Sequence, residues 1–144
     1  MKLSTRTRYG LRAVLELAEN YGRGPLRLRA IAEHQEISVK YLEQLMSVLK
    51  SAGIVRSVRG ANGGYVLARS PNEIRVSDCF NYLEGPVITS ECVDNSSFCS
   101  RAADCIARGL WIDVQNTVME LLRSTTLQSL IDRTGENKVL DYHI

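Results

Sequence analysis

The chain has 144 residues, 44% of them hydrophobic and 24% charged, which is enough for one globular unit with an accessory element and excludes two large domains. A net charge of +2 hides a division: residues 1–70 carry 12 Lys/Arg against 5 Asp/Glu, a net of +7, and residues 71–144 carry 6 against 11, a net of −5. No apolar run reaches the roughly 18–20 residues of a membrane span, and MKLSTRTRYG lacks the apolar core of a secretory leader, so no membrane partner and a cytoplasmic location are expected.

Ser4 or Thr5 can cap a first helix running to about Tyr21, whose apolar stripe is Tyr9, Leu11, Ala13, Val14, Leu17, Ala18 and Tyr21. Lys2, Arg6, Arg8 and Arg12 crowd its first turns, where the helix dipole disfavours cations. Their reading is therefore contact with DNA phosphates or simple solvation. Gly22 to Pro25 ends the helix, and Leu26 to Leu28 reads as a short strand that pairs with a later hairpin. Arg29 to about Gln35 is a short helix with Ala30, Ile31 and Ala32 inward, followed by a tight break at Glu36-Ile37. Ser38 is placed to cap the next helix, which runs to about Ala52 and ends where Gly53 takes the left-handed conformation. Val39, Leu42, Leu45, Met46 and Leu49 face inward at steps of three and four, and Lys40, Tyr41, Glu43, Gln44 and Ser47 face out.

Ile54 to Val58 and Tyr65 to Ala68 read as strands. Between them Arg59-Gly60-Ala61-Asn62-Gly63-Gly64 offers an Asn-Gly turn with positive φ. No Gly-Lys-Ser/Thr follows these glycines, so they are turn residues and not a phosphate cradle. Two helices with a sharp break and a basic-tipped hairpin make a winged helix-turn-helix, in a chain that is mostly α (α+β). The second helix suits a DNA major groove, the Arg59 tip suits phosphates or the minor groove, and Glu43 can accept from cytosine N4. A bland alternative is the same hairpins used for protein contacts. The basic excess sits on this half, as expected of a nucleic-acid-binding face.

Ser70-Pro71-Asn72 is a turn, and Ile74 to Val76 leads into a helix from Ser77 to about Leu83 with Val76, Cys79, Phe80 and Leu83 on one face. Cys79 there reads as a buried small hydrophobe. Pro86 to about Ser100 lacks a period and reads as a loop. Arg101 to about Ser124 is the longest helix, with Leu110, Trp111, Val114, Val118, Leu121 and Leu122 along it. That is more apolar surface than one small domain can cover, so a homodimer formed helix against helix is expected. Thr126 to Arg133 is a last short helix and Gly135 to Ile144 a polar tail. The organisation is thus a reading head over residues 1–84, a cysteine loop over 85–100, dimerisation helices over 101–133 and a flexible tail over 134–144. No catalytic triad or paired-carboxylate arrangement is found, so the chain is not read as an enzyme.

Cys92, Cys99 and Cys105 are spaced Cys-x6-Cys-x5-Cys. Thiolates suit soft metals and iron–sulfur clusters, no Cys-x2-Cys pair of the usual zinc kind exists, and three thiols cannot pair off fully as disulfides. Spacing leaves a cluster, a thiol redox switch and inert thiols open.

With MKLSTRTRYGLRAVLELA, ISVKYLEQLMSVLKSAGIVRSVRGANGGYVLAR and DCFNYLEGP in view, nearly the whole chain resembles the IscR-type family of bacterial winged-helix regulators, which sense through iron–sulfur clusters. The resemblance implies a homodimer joined through the long helix, with one cluster per subunit near its start, and the symmetry of such a dimer predicts that it binds double-stranded DNA at a palindromic operator. It implies DNA contacts by Ser38, Lys40, Tyr41, Glu43 and Gln44 on the recognition helix and by Ser57, Arg59 and Gly60 on the wing. It implies a cluster held by Cys92, Cys99 and Cys105, 2Fe–2S in preference to 4Fe–4S. Arg108 stands where the best-known members have a ligating histidine, Arg8 stands where others draw a carboxylate from the partner subunit, and the first cysteine gap is one residue longer than usual. Asp104, Glu91 or a solvent molecule are the candidates for a fourth ligand; His34 reads as a surface residue, and His143 reaches a site only if the tail folds back. Alternatives are the same DNA-binding regulator without a cluster, responding to thiol oxidation or a protein partner, and, remotely, a small electron-transfer protein.

Overall fold

The computed structural model describes the backbone of residues 1–141 and side chains as far as Thr134. In chain order it contains α1 (Thr5–Glu19), α2 (Leu28–Gln35), α3 (Val39–Ser51), the strands β1 (Val55–Val58) and β2 (Gly64–Leu67), α4 (Val76–Leu83), the single turn α5 (Glu91–Asp94), α6 (Ile106–Ser124) and α7 (Leu127–Asp141). This is a winged helix-turn-helix followed by a long C-terminal helix. Among the described residues no helix is long and apolar enough to cross a membrane.

The core is built largely where periodicity placed it, although α1 ends at Glu19 and Tyr21, expected on its inward stripe, lies past that end and is 49% exposed. Ala13, Val14, Leu17 and Ala18 of α1 meet Ile31 and Ala32 of α2 and Leu42, Leu45, Met46 and Leu49 of α3, with Ile54, Val55 and Leu67 closing it from the hairpin. Fully burying each large aliphatic side chain contributes roughly 1.5–3 kcal/mol. Cys79 joins this core, and burial, with the Asp78 carboxylate beside it, pushes its thiol up to about 12. Its thiol is therefore favoured in the protonated, less nucleophilic form at neutral pH.

Several expectations need correction. Val39 is 41% exposed, because it opens α3 beyond the edge of the core instead of facing it. The strand expected at Leu26–Leu28 is one bridge, Leu26 to Tyr65, and Leu28 already begins α2. The hairpin turn spans residues 59–63, with positive φ at Gly60 and not at Asn62-Gly63; Gly64, which opens β2, also has positive φ. The loop expected over Pro86–Ser100 contains α5, and α6 starts at Ile106 and not Arg101. α7 continues to Asp141 where a tail was expected from residue 134, and His143 lies outside the described residues.

The C-terminal helices are stitched back to the head. The Val76 N–H donates to the Thr125 carbonyl at 2.8 Å and the Leu127 N–H to the Ile74 carbonyl at 3.0 Å, and Leu127 is fully buried in the head's core. A second long-range tie joins α4 to α1. Glu84, just past α4, accepts from the Ser4 N–H at 3.2 Å, from the Ser4 hydroxyl at 2.6 Å and from the Thr7 hydroxyl. α1 has no acidic residue in its own first turn, so Glu84 supplies the negative charge its N-terminus favours. The Ser4 hydroxyl, then that of Thr7, hold the Glu84 carboxyl below the usual carboxylate range. A carboxyl depressed in the folded state stabilises above its unfolded value, and that contribution is lost as pH falls through the folded value. The Glu84→Gln variant is accordingly expected to be about 1 kcal/mol less stable at pH 7, with the gap closing below roughly pH 4, in urea melts run across that range.

Candidate nucleic-acid interface and cysteine loop

The recognition helix begins with a stereospecific cap. Glu36 adopts φ 56°, which turns the chain sharply after α2, and Ser38 is extended with its hydroxyl accepting from the Tyr41 N–H at 3.1 Å. The buried stripe of α3 then forces its opposite face outward: Lys40, Glu43, Gln44 and Ser47 are exposed, as is Ser38. Tyr41 departs from the outward expectation. It is half-buried, its ring meeting Tyr9 of α1 edge-on with centroids 6.3 Å apart and planes at 89°.

Two backbone hydrogen bonds help seat the hairpin on the head, Leu26 N–H to the Tyr65 carbonyl at 3.0 Å and Tyr65 N–H to the Leu26 carbonyl at 2.8 Å. Arg59 and Gly60 are exposed at its tip. Ser57 is half-buried and accepts from Lys50 Nζ at 3.0 Å, and Arg27 Nη2 donates to the Ala61 carbonyl at 2.7 Å. Lys50 and Arg27 were passed over in the sequence. Their signal was weak, since a cation in the last turn of α3 also suits the helix dipole.

Among the described residues the one ion pair within 4.0 Å joins His34 to Glu16 at 2.6 Å, so no described Lys or Arg pairs with a described carboxylate. His34 is a surface residue, as expected, with its pKa raised first by the Glu16 hydrogen bond and then by its charge. Of the α1 cations, Arg12 donates to the Gln35 side chain and backbone, at 2.9 and 3.1 Å, and lies 5.2 Å from the Tyr9 ring centre, while Arg8 lies 5.9 Å from it.

The second candidate site lies between α4 and α6. Cys92 sits in α5, half-buried, with its sulfur 3.1 Å from the Ser90 hydroxyl. Cys99 is half-buried in the following turns, and Cys105 is exposed as the N-cap of α6. All are free thiols. Three thiols on one short segment are a donor set that fits a soft metal or an iron–sulfur cluster. The described arrangement does not itself close around one: no three His, Cys, Asp or Glu side chains are grouped to hold a metal ion among the described residues. Arg108 Nε instead donates to the Cys92 carbonyl at 3.0 Å, and Glu91 and Asp104 are exposed.

Residues 3–133 match the Rrf2 family, described as an iron-dependent transcriptional regulator. The HTH-type transcriptional regulator CymR of Bacillus subtilis is 42% identical over 145 residues, covering all of both chains. The solved structure of CymR, described as the global cysteine regulator of B. subtilis, superposes with a TM-score of 0.81 at 43% identity, covering 92% of this chain and 98% of that one. The structure of T. potens IscR superposes with a TM-score of 0.78 at 39% identity, covering 95% and 90%.

Proposed function

The chain belongs to the Rrf2 family of transcriptional regulators, and from that premise we propose that it binds a palindromic operator as a homodimer, under the control of an iron–sulfur cluster held by Cys92, Cys99 and Cys105. The observation that carries the DNA half is the pairing of an exposed polar face on α3 with a basic wing, none of whose cations pairs with a described carboxylate. Ser38, Lys40, Glu43 and Gln44 form the groove-facing set, with half-buried Tyr41 at its edge, and Ser57, Arg59 and Gly60 form the wing set. Lys40 and Arg59 meet phosphates, Glu43 reads a base edge, and Tyr41 supports the helix through Tyr9. Two such heads related by a two-fold axis read half-sites about one or two helical turns apart. The Arg59→Ala variant is expected to bind operator about tenfold more weakly, with the slope of log affinity against log salt falling by about one. An unchanged slope in a salt titration removes Arg59 from the interface.

For the regulatory half, support comes from the donor chemistry of three free thiols on one segment. A bound cluster, 2Fe–2S in preference to 4Fe–4S, supplies a state that is present or absent with iron supply or oxidant. This chain's own part is to bind that group with three thiolates and to convert its presence into a different setting of α6 and the heads, a two-state bias that requires unequal affinity for the two settings. Anaerobic reconstitution with iron and sulfide tests it. A coloured protein with iron and sulfide in proportion, altered operator affinity, and loss of both in Cys92→Ala, Cys99→Ala and Cys105→Ala is the expected result.

A second reading has specific support: the full-length similarity to a CymR regulator, together with thiols that are not grouped around one point. Here the same DNA-binding regulator answers to thiol oxidation or a protein partner with no cluster. A colourless, iron-free protein whose operator binding follows the oxidation state of its thiols would select this reading over the first.

A further inference from the structure

Three residues of α6 hold the stretch that carries Cys92. Arg108, Trp111 and Gln115, at steps of three and four, share one stripe of the helix. Arg108 Nε donates to the Cys92 carbonyl at 3.0 Å, the Thr89 hydroxyl donates to the Trp111 carbonyl at 2.9 Å, and the Thr89 N–H donates to Gln115 Oε1 at 3.1 Å. Within the held stretch α5 closes on itself, Val93 N–H to the Ser90 carbonyl at 3.0 Å and Asn95 N–H to the Glu91 carbonyl at 2.9 Å. Cys105 is the N-cap of the same α6.

Cys99 is placed differently. Around it the backbone hydrogen bonds stay inside the segment: Phe98 N–H to the Asn95 carbonyl at 3.1 Å, Ala102 N–H to the Cys99 carbonyl at 3.1 Å and Asp104 N–H to the Arg101 carbonyl at 3.1 Å. Ala102 is the one buried side chain of residues 95–104, at 7% exposure. A limb bonded only to itself opens more readily than one bonded to a long helix.

We propose that Arg108 is the positioning residue of the cysteine segment: with Gln115 it registers Cys92 on α6, the helix that also carries Cys105, and leaves Cys99 as the thiol whose limb moves when the three are drawn together. This rests on the reading that the three thiols hold one group. Arginine suits the task because it stays charged and has no lone pair to offer a metal, so it can orient the segment without joining the donor set. Its bond goes to a backbone carbonyl and is charge-assisted, which makes it stronger than a neutral one and independent of the Cys92 side chain.

The test is the alkylation rate of each cysteine by iodoacetamide in the reduced, metal-free full chain, read by mass spectrometry. Cys92 is expected to react more slowly than Cys99. Arg108→Gln is expected to speed Cys92 roughly tenfold, the scale of one charge-assisted hydrogen bond, with Cys99 and Cys105 unchanged. Arg108→Lys, which keeps a cationic donor, brings Cys92 back toward its original rate. Gln115→Ala removes a separate anchor and speeds Cys92 as well, which keeps the test valid if Arg108→Gln folds poorly. Equal rates at Cys92 and Cys99 in the unaltered chain, or a uniform rise at all three thiols in Arg108→Gln, overturns the proposal. Uptake of iron and sulfide by the same proteins decides the cluster reading separately: an unaltered chain that takes up neither defeats that reading, while the labelling pattern still decides the role of Arg108.

Discussion

A Leu110→Asp, Leu121→Asp double variant is expected to be monomeric by light scattering and to bind operator about 100-fold more weakly, the low end of what linking two reading heads provides. α6 has no buried residue among its 19, and Ile106, Leu110, Trp111, Val114 and Leu121 are 96, 56, 42, 40 and 58% exposed. Leu110, Val114 and Leu121 recur at steps of four and seven, so they line one side of the helix, the geometry of a helix-to-helix seam. Leaving such a stripe in water forgoes about 25 cal/mol for each Å² that a partner would cover. An aspartate at the centre of a dry interface leaves a buried charge without a partner, which costs far more than the lost leucine contact. The head is untouched by either change, because its core draws on α1–α4, the hairpin and Leu127. Thermal stability of the head should therefore persist while association and tight operator binding disappear together. A double variant that stays dimeric at micromolar concentration places the subunit interface elsewhere.

The second large effect concerns the wing. Gly64→Ala is expected to cost about 2–4 kcal/mol, roughly 10 °C in melting temperature, and to weaken operator binding although it alters no groove-facing side chain. A methyl group at Gly64 would lie 2.2 Å from the Leu26 carbonyl oxygen and 2.5 Å from its carbon, backbone atoms that cannot swing aside. The hairpin must lift, which breaks the two bonds between Leu26 and Tyr65 that seat it on the head and displaces Arg59 with it. Gly22→Ala serves as the comparison. Its φ of +85° also disfavours a side chain, but no atom lies within 4 Å, so its cost is the conformational term alone, about 1–2 kcal/mol. If Gly64→Ala melts no lower than Gly22→Ala, the wing is not held by that contact.

The head was legible in the sequence because everything that specifies it is local or periodic. Ser38 caps a helix whose N–H groups lie three residues away, Leu42, Leu45, Met46 and Leu49 repeat with the helix period, and Gly53 ends it at φ +74°. Cys79 was readable as core for the same reason. Where local rules met a neighbour from elsewhere they failed: Val39 fits the inward stripe yet overhangs the core, and Tyr41 points outward by period yet is covered by Tyr9.

By itself, then, the sequence determined the two hairpins, the charge they carry and the three thiols, since spacing and composition suffice for each. Tertiary structure alone decided that Glu84 completes the N-terminus of α1 across 80 residues, that Leu127 returns to the head's core, and that Arg108 meets the Cys92 carbonyl. The reason is range: a cap or a stripe is set by residues three or four apart, whereas a partner brought in by chain folding leaves no pattern in the order of the residues.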